Sequence, residues 1–152
     1  INLFHHLYHH KAQNLVSSPF SLRNMFAFLY VGSQTQTRAE IAKACDFQSE
    51  INHLLPLISK ISRSLRVKKP NKILLANAIW GDKGLQYRAS YLKRVKSAFP
   101  KNFNQANFAK HPAKAVAKIN RWVSRKTAKH IQHFLKPSDV TKQTKLLLVN
   151  TI

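Results

Sequence analysis

Apolar side chains recur every three or four residues through most of the chain, which is the spacing of helices that bury one face or several. The pattern predicts a short helix over residues 2–10, a helix from Pro19 to Gly32 that is buried on most faces, and an amphipathic helix from Ile51 to Leu65. Another helical stripe runs from Tyr91 to Phe99, and a longer helix begins at Pro112. Most of the chain is therefore predicted to be helical.

Polar residues mark the predicted helix ends. The hydroxyl of Ser18 stands just before Pro19, where it caps a helix whose first turn accommodates the proline. Thr37 precedes Glu40 by three residues, the spacing of a capping box, and so predicts the start of the next helix. We expect that helix to end at Asp46 and Phe47.

Two nearly continuous apolar runs predict strands, and the first suits a central strand that is covered on both faces. The first, Ile73 to Trp80, lies between Pro70 and Gly81 and contains one polar residue, Asn77; the second is Lys145 to Ile152. Residues 103–108 are predicted to form a short extended segment. Because these strands do not alternate regularly with helices, the predicted fold class is α+β, helix-rich, with strands of one central sheet.

Composition limits the classes of protein. A chain of 152 residues, 44% of them hydrophobic, suits a single domain with a packed core. Cys45 is the only cysteine, which excludes a disulfide framework, and no apolar run approaches the roughly 20 residues of a membrane span. Five scattered acids and three glycines provide neither an acid/base pair nor a phosphate-binding loop, so we predict neither an enzyme nor a cofactor.

Histidines are concentrated near the start of the chain. His5 and His9, and likewise His6 and His10, are four residues apart on the first predicted helix, a spacing that lets two imidazoles share a metal ion. No carboxylate stands nearby as a further ligand. We therefore predict no metal site.

Four blocks of sequence together resemble the amino-terminal part of the serpin family. The first, NLVSSPFSLRNMFAFLYVGSQTQTRAEIAKACDF, runs from Asn14 to Phe47 and has the family's Ser-Pro-x-Ser, buried helix, glycine and Thr-x-x-Glu-Ile in order. The others are LANAIW from Leu75 to Trp80, INRWVSRKT from Ile119 to Thr127, and TKLLLVN from Thr144 to Asn150. The resemblance covers nearly the whole chain.

The resemblance implies that residues 1–152 form a single incomplete serpin domain, comprising helices A to F and the first three strands of the main sheet. The family's reactive-centre loop and its hinge would lie beyond Ile152. The implied activity is inhibition of a serine, or alternatively a cysteine, protease as a suicide substrate: the protease cleaves the loop, which then inserts into the sheet as a new strand. The implied location is extracellular, with the cytoplasm as the alternative. A noninhibitory serpin-fold protein that binds polyanions or nucleic acid, and a truncated inactive product, remain alternatives.

The same resemblance implies a conformational shutter beneath the sheet, formed by Ser18, Ser21 and Asn150. Small hydroxyls under a moving strand can exchange hydrogen bonds with a side-chain amide, so that buried polar groups stay paired in both states. The alternative for Ser18 is that its hydroxyl only caps the helix.

Charge suggests a second kind of partner. Lys and Arg number 26 against five acids, a formal net charge of +21, which favours anionic partners such as a heparin-like glycosaminoglycan. Two clusters stand out, one in and after the helix at 51–65 and one as a single predicted stripe on the helix that begins at Pro112. The alternative is a solvated, generally basic surface. The candidate polyanion-binding residues are Lys60, Arg63, Arg66, Lys68, Lys69, Lys72, Lys114, Lys118, Arg121, Arg125 and Lys129.

Overall fold

A computed structural model describes residues 18–47, 51–64, 74 and 76–151. The predicted helix at 2–10 lies outside these residues, and the other predicted helices are confirmed. A 3-10 turn, Pro137–Asp139, precedes the last strand. The elements are α1 Pro19–Gly32, α2 Thr35–Cys45, α3 Ile51–Ser64, β1 Ala76–Asp82, α4 Ala89–Ala98, β2 Phe103–Ala106, α5 Pro112–Lys126 and β3 Leu146–Thr151.

β1 is the central strand of the sheet formed by the described residues, in which the strand order is β2-β1-β3. It runs parallel to β2, with Ile79 opposite Phe103, and antiparallel to β3. The predicted end of β1 at Trp80 was wrong by two residues. Gly81 pairs with Leu146, and the backbone N–H of Asp82 donates to the carbonyl of Lys145 at 3.0 Å, so that pairing with β3 extends the strand.

Helices cover both faces of the sheet, as the first apolar run predicted. Ile79 belongs to a core formed with α1, α3 and α4, whereas Ala78 and Trp80 belong to a second core formed with α5. Successive strand residues point to opposite faces, so one strand contributes to both cores. The indole rings of Trp80 and Trp122 meet edge to face, with ring centroids 6.0 Å apart, and join β1 to α5.

The start of α2 corrects the predicted capping box. The helix begins at Thr35, and Gln34, at the N-cap, makes no side-chain capping bond. Ser33 ends α1, with its N–H bonded to the carbonyl of Leu29, and only Gln34 separates it from α2. Thr37 is therefore already inside the helix, and Glu40 instead accepts a bond from Gln36 Nε2 at 2.9 Å. The predicted end is confirmed: Asp46 is the left-handed C-cap.

The end of α5 corrects the predicted stripe of five cations. The helix stops at Lys126, and the hydroxyl of Thr127 donates to the carbonyl of Val123 and accepts from the N–H of Ile131. Lys129 follows with a φ of 68°, so it is not part of the helix. The helical stripe therefore comprises Lys114, Lys118, Arg121 and Arg125.

Asp82 ties the end of β1 to the segment after β2. Its buried carboxylate accepts backbone N–H bonds from Gly84 at 2.7 Å, Phe108 at 2.7 Å and Ala109 at 3.1 Å. Burial by itself raises the pKa of this carboxyl, but these N–H bonds and the charge of Lys145 outweigh it and hold the pKa below its ordinary value.

Candidate functional site

A small polar network lies between the sheet and α1. It joins the side chains of Ser21, Asn77 and Asn150. The Ser21 hydroxyl donates to Asn77 Oδ1 at 3.4 Å, and Asn150 Nδ2 donates both to Asn77 Oδ1, at 2.6 Å, and to Ser21 Oγ. The side chain of Ser21 is fully buried. We call these three residues the Ser-Asn-Asn network.

Strand register places the two asparagines together. Asn77 on β1 is the direct partner of Asn150 on β3, and both lie on the face that packs against α1. Ser21 lies in the first turn of α1, whose N-terminal end reaches the same part of the sheet. A residue as small as serine lets the helix backbone approach the strands closely enough for its hydroxyl to contact both amides.

Ser18 is close to this network but has a different contact. It is the N-cap of α1, and its Oγ accepts a hydrogen bond from the backbone N–H of Ser21 at 3.3 Å. The structure therefore brings together two of the three predicted shutter residues, Ser21 and Asn150, and places the third one turn away as a helix cap. Whether any of them controls sheet opening stays a prediction.

Asn77 is the member of the network that the sequence prediction left out. Its signal was present, because it is the one polar residue in the apolar run ILLANAIW. A lone amide in a strand covered on both faces needs a buried partner, since an unpaired polar group there costs about 1–3 kcal/mol. That partner comes from β3, far along the chain.

The chemistry available to the network is exchange of hydrogen bonds. Its members are one hydroxyl and two primary amides, which are both donors and acceptors and do not ionise in the physiological pH range. A hydroxyl or amide oxygen that loses one donor can accept another without a change of charge. In the described residues, no group of three His, Cys, Asp or Glu side chains is arranged to hold a metal ion.

The predicted polyanion residues fall into two groups. Lys60 is exposed on α3, the side chain of Arg63 is not described, and Arg66, Lys68, Lys69 and Lys72 lie outside the described residues. Lys114, Lys118, Arg121 and Arg125 are all exposed on α5, and Lys129 is exposed beyond its end.

Lys118 has two contacts beyond its own helix. Its Nζ donates to the backbone carbonyl of Gln105 on β2 at 2.8 Å, and it lies 5.5 Å from the centroid of the Trp80 ring. The α5 stripe is therefore anchored at one point to the sheet.

The family profile described as "Serpin (serine protease inhibitor)" matches residues 1–152. The chain belongs to the serpin family. A serine protease inhibitor of Cyanea capillata is 31% identical over 144 residues, which are 92% of this chain and 37% of that protein. A leukocyte elastase inhibitor of Bos taurus is 29% identical over 146 residues, 95% of this chain and 38% of the relative.

Solved structures agree with this assignment. Uncleaved ovalbumin superimposes with a TM-score of 0.86 at 27% identity, over 98% of this chain and 41% of ovalbumin. Serpin-12 of Manduca sexta also gives a TM-score of 0.86, at 25% identity, over 98% of this chain and 41% of its own. The serpin chain thus spans about two fifths of the relatives it matches, and the predicted α+β partial serpin fold is confirmed. No helix among the described residues is long and apolar enough to cross a membrane.

Proposed function

We propose that the full-length serpin inhibits a serine protease as a suicide substrate, and that the Ser-Asn-Asn network controls the opening of its sheet. Cysteine proteases are the second class of target. The observation that supports this function is the network itself, in which Ser21 is fully buried and both asparagines are partly buried. It connects α1 to both β1 and β3 through neutral side chains. An apolar contact would fill the same space without the cost of burying polar groups.

The network suits a sheet with two states. Because β1 and β3 are paired over six residues, an inserting strand would pair with the other edge of β3, to which no strand pairs in the described residues. Asn77 and Asn150 would then shift together over α1. As the strands shift, the Ser21 hydroxyl can exchange its bond to one amide for a bond to the other, so that each polar group keeps a partner. A closed sheet is thereby stabilised by a few hydrogen bonds, each worth about 1 kcal/mol net.

We propose that Ser18 acts as a positioning residue of the shutter. By capping α1 it holds the first turn, and therefore Ser21, in place beneath the strands. Its contribution is then to the geometry of Ser21 and not to the exchange of hydrogen bonds.

The test uses the full-length serpin and a panel of trypsin-like, chymotrypsin-like, elastase-like and papain-like proteases. Inhibition by acylation predicts a complex that survives denaturing electrophoresis, with the mass of the serpin plus that of the protease. Ser21→Ala and Asn150→Ala should speed the entry of a synthetic loop peptide into the sheet by about tenfold, because about 1–2 kcal/mol of closed-state bonding is lost. Ser97→Ala, at an exposed site on α4, is the matched control.

Loop cleavage by every protease without a covalent complex would contradict the inhibitory function and favour the noninhibitory alternative. Unchanged peptide entry in Ser21→Ala and Asn150→Ala would contradict the shutter. A transcript that stops at Ile152 would identify the chain as a truncated product, which lacks the inserting loop and so has no inhibitory activity.

A second function, binding of a sulfated polyanion, is supported by the charge distribution. No Asp or Glu lies between Asp82 and Asp139, a segment that contains the whole α5 stripe. Heparin is the probe. Its affinity should fall steeply with salt, because the lysines and arginines that bind the polyanion displace its condensed counterions. Elution from a heparin column at or below physiological salt would contradict it. Glycan binding would accord with an extracellular location and nucleic-acid binding with an intracellular one.

A further inference from the structure

The contact between Lys118 and β2 lies at the outer edge of that strand. The N–H groups of Ile79 and Lys83 donate to the carbonyls of Asn102 and Ala106, so these carbonyls point towards β1. Carbonyl direction alternates along a strand, and the carbonyl of Gln105 therefore points away from β1. No strand pairs with this edge in the described part of the chain.

The same edge offers a backbone donor. In a parallel strand, the N–H and the carbonyl of one residue point to the same side, so the N–H of Gln105 also points outward. The carbonyl accepts from Lys118 Nζ at 2.8 Å, which leaves two of the three ammonium N–H groups of that lysine for another acceptor. A ligand oxygen that accepts from both the Gln105 N–H and the Lys118 ammonium group would therefore lie at the outer edge of β2.

The α5 stripe lies on the exposed side of the helix, and one of its members reaches this edge. Its members are four, three and four residues apart, while the buried face of α5 contains Ala115, Ile119 and Trp122. Lys118 is the member of the stripe that reaches Gln105 at the outer edge of β2. At 1.5 Å per residue, Lys114 and Arg125 are separated by about 16 Å along the helix axis.

We propose that a linear sulfated polysaccharide binds along the α5 stripe and the outer edge of β2, with Lys118 at its centre. This inference rests on the proposed polyanion binding and assigns it a place. Cations in single file match a single chain with charged groups along its length, whereas sequence-specific recognition of a nucleic-acid duplex needs an element that enters one of its grooves. Residues 83–138 contain no Asp or Glu, so no carboxylate of this segment repels the sulfate groups of the ligand.

Binding at this site links α5 to β2. A ligand that contacts both α5 and β2 favours the state in which they are close together, and its effect grows with its concentration. The polysaccharide would therefore stabilise α5 in its place over the sheet.

The test compares Lys118→Gln with Lys96→Gln in the full-length serpin. Lys96 is exposed on α4, so both variants lose one charge at the surface. With heparin as the probe, Lys118→Gln should weaken binding by about tenfold and lower the salt slope by about one, and Lys96→Gln should weaken it less than twofold. Heparin should also slow amide hydrogen exchange at residues 103–106 in the parent protein and in Lys96→Gln.

A second pair of variants avoids the contacts that Lys118 makes with the fold. The double variant Arg121→Gln/Arg125→Gln removes two cations of the α5 stripe. The control double variant Lys93→Gln/Arg94→Gln removes two exposed cations of α4, and it should weaken heparin binding less. Equal effects of the two pairs, or no protection at 103–106 while heparin binds, would overturn this inference and leave polyanion binding standing. No heparin binding at all would contradict the proposed polyanion function. Equal affinity for duplex DNA and heparin of the same charge would overturn the assignment to a polysaccharide.

Discussion

The side-chain amides of Asn77 and Asn150 meet across the β1 and β3 pair, with Asn150 Nδ2 2.6 Å from Asn77 Oδ1. These strands are therefore joined by side chains as well as by backbone hydrogen bonds. Ser21 adds a contact from α1 to the same two amides. A shift of these strands over α1 breaks or exchanges the bonds of Ser21 at one place, which makes the contribution of each residue measurable.

Ser21→Ala should lower the free energy of unfolding by about 1–2 kcal/mol, because it leaves two partly buried amide groups with one partner fewer. Urea denaturation of the full-length serpin, followed by circular dichroism, measures this change. Ser97→Ala at an exposed position should change the stability by less than about 0.5 kcal/mol. Equal changes in the unfolding free energy for Ser21→Ala and Ser97→Ala would show that the Ser21 hydroxyl does not stabilise the fold.

Ser18→Ala should cost about 1 kcal/mol through loss of the N-cap of α1. A double-mutant cycle separates this role from the network, because residues that share hydrogen bonds have coupling energies of about 0.5–3 kcal/mol. The coupling energy between Ser21→Ala and Asn150→Ala should lie in this range. The coupling energy between Ser18→Ala and Asn150→Ala should be smaller. Equally strong coupling of Ser18 and Asn150 would place Ser18 in the network.

Helices and buried strands were predictable from the sequence, because their signals are local. The apolar periodicity of α1 and the runs around β1 and β3 depend on neighbours within a few residues, and all three elements formed, although β1 ends two residues later than predicted. Asp46 ended its helix for an equally local reason. Resemblance to the serpins then supplied two residues of the network, Ser21 and Asn150, before any contact was known.

The errors came from features that depend on neighbours in space. Thr37 had the spacing of a cap, but the short connection between α1 and α2 started the helix before it. Lys129 continued the cationic spacing, but the hydroxyl of Thr127 ended α5 first. Asn77 was visible as a polar exception in its strand, and only the register with β3 identified its partner.

Asp82→Asn should destabilise the serpin at neutral pH by about 2 kcal/mol, because the amide replaces one acceptor oxygen with a donor that faces backbone N–H groups. The pKa of Asp82 is lowered in the folded state, from an ordinary value of 3.8. Stability from this carboxylate is therefore complete above about pH 4–5 and is lost as the pH falls through the lower folded-state pKa. The difference in unfolding free energy between parent and variant should shrink in the same range.

Urea denaturation between pH 2 and pH 7 measures this dependence. Glu40→Gln is the matched control, since Glu40 is an exposed acid that bonds only to Gln36 among the described residues. Its effect should stay below about 0.5 kcal/mol at each pH. If the difference in unfolding free energy between the parent and Asp82→Asn stays constant down to pH 2, ionisation of the Asp82 carboxyl does not contribute to stability.

Asn120 holds the segment that follows α5. Its Nδ2 donates to the carbonyl of Leu135 at 2.9 Å, and its Oδ1 accepts from the N–H of Leu135 at 2.8 Å, so one side chain pairs both backbone groups of a partly buried residue. Asn120→Ala should therefore speed amide exchange at residues 131–136 by about tenfold and lower the unfolding free energy by about 1–2 kcal/mol.

Gln132→Ala, which removes one exposed bond to the carbonyl of Lys129, should leave the exchange of this segment within about twofold of the parent. Asn120→Asp keeps the acceptor and loses the donor, so its exchange rate should fall between those of the parent and Asn120→Ala. If residues 131–136 exchange at the parental rate in Asn120→Ala, the segment is held by the apolar contacts of Ile131, Phe134 and Leu135 with the core under α5 instead.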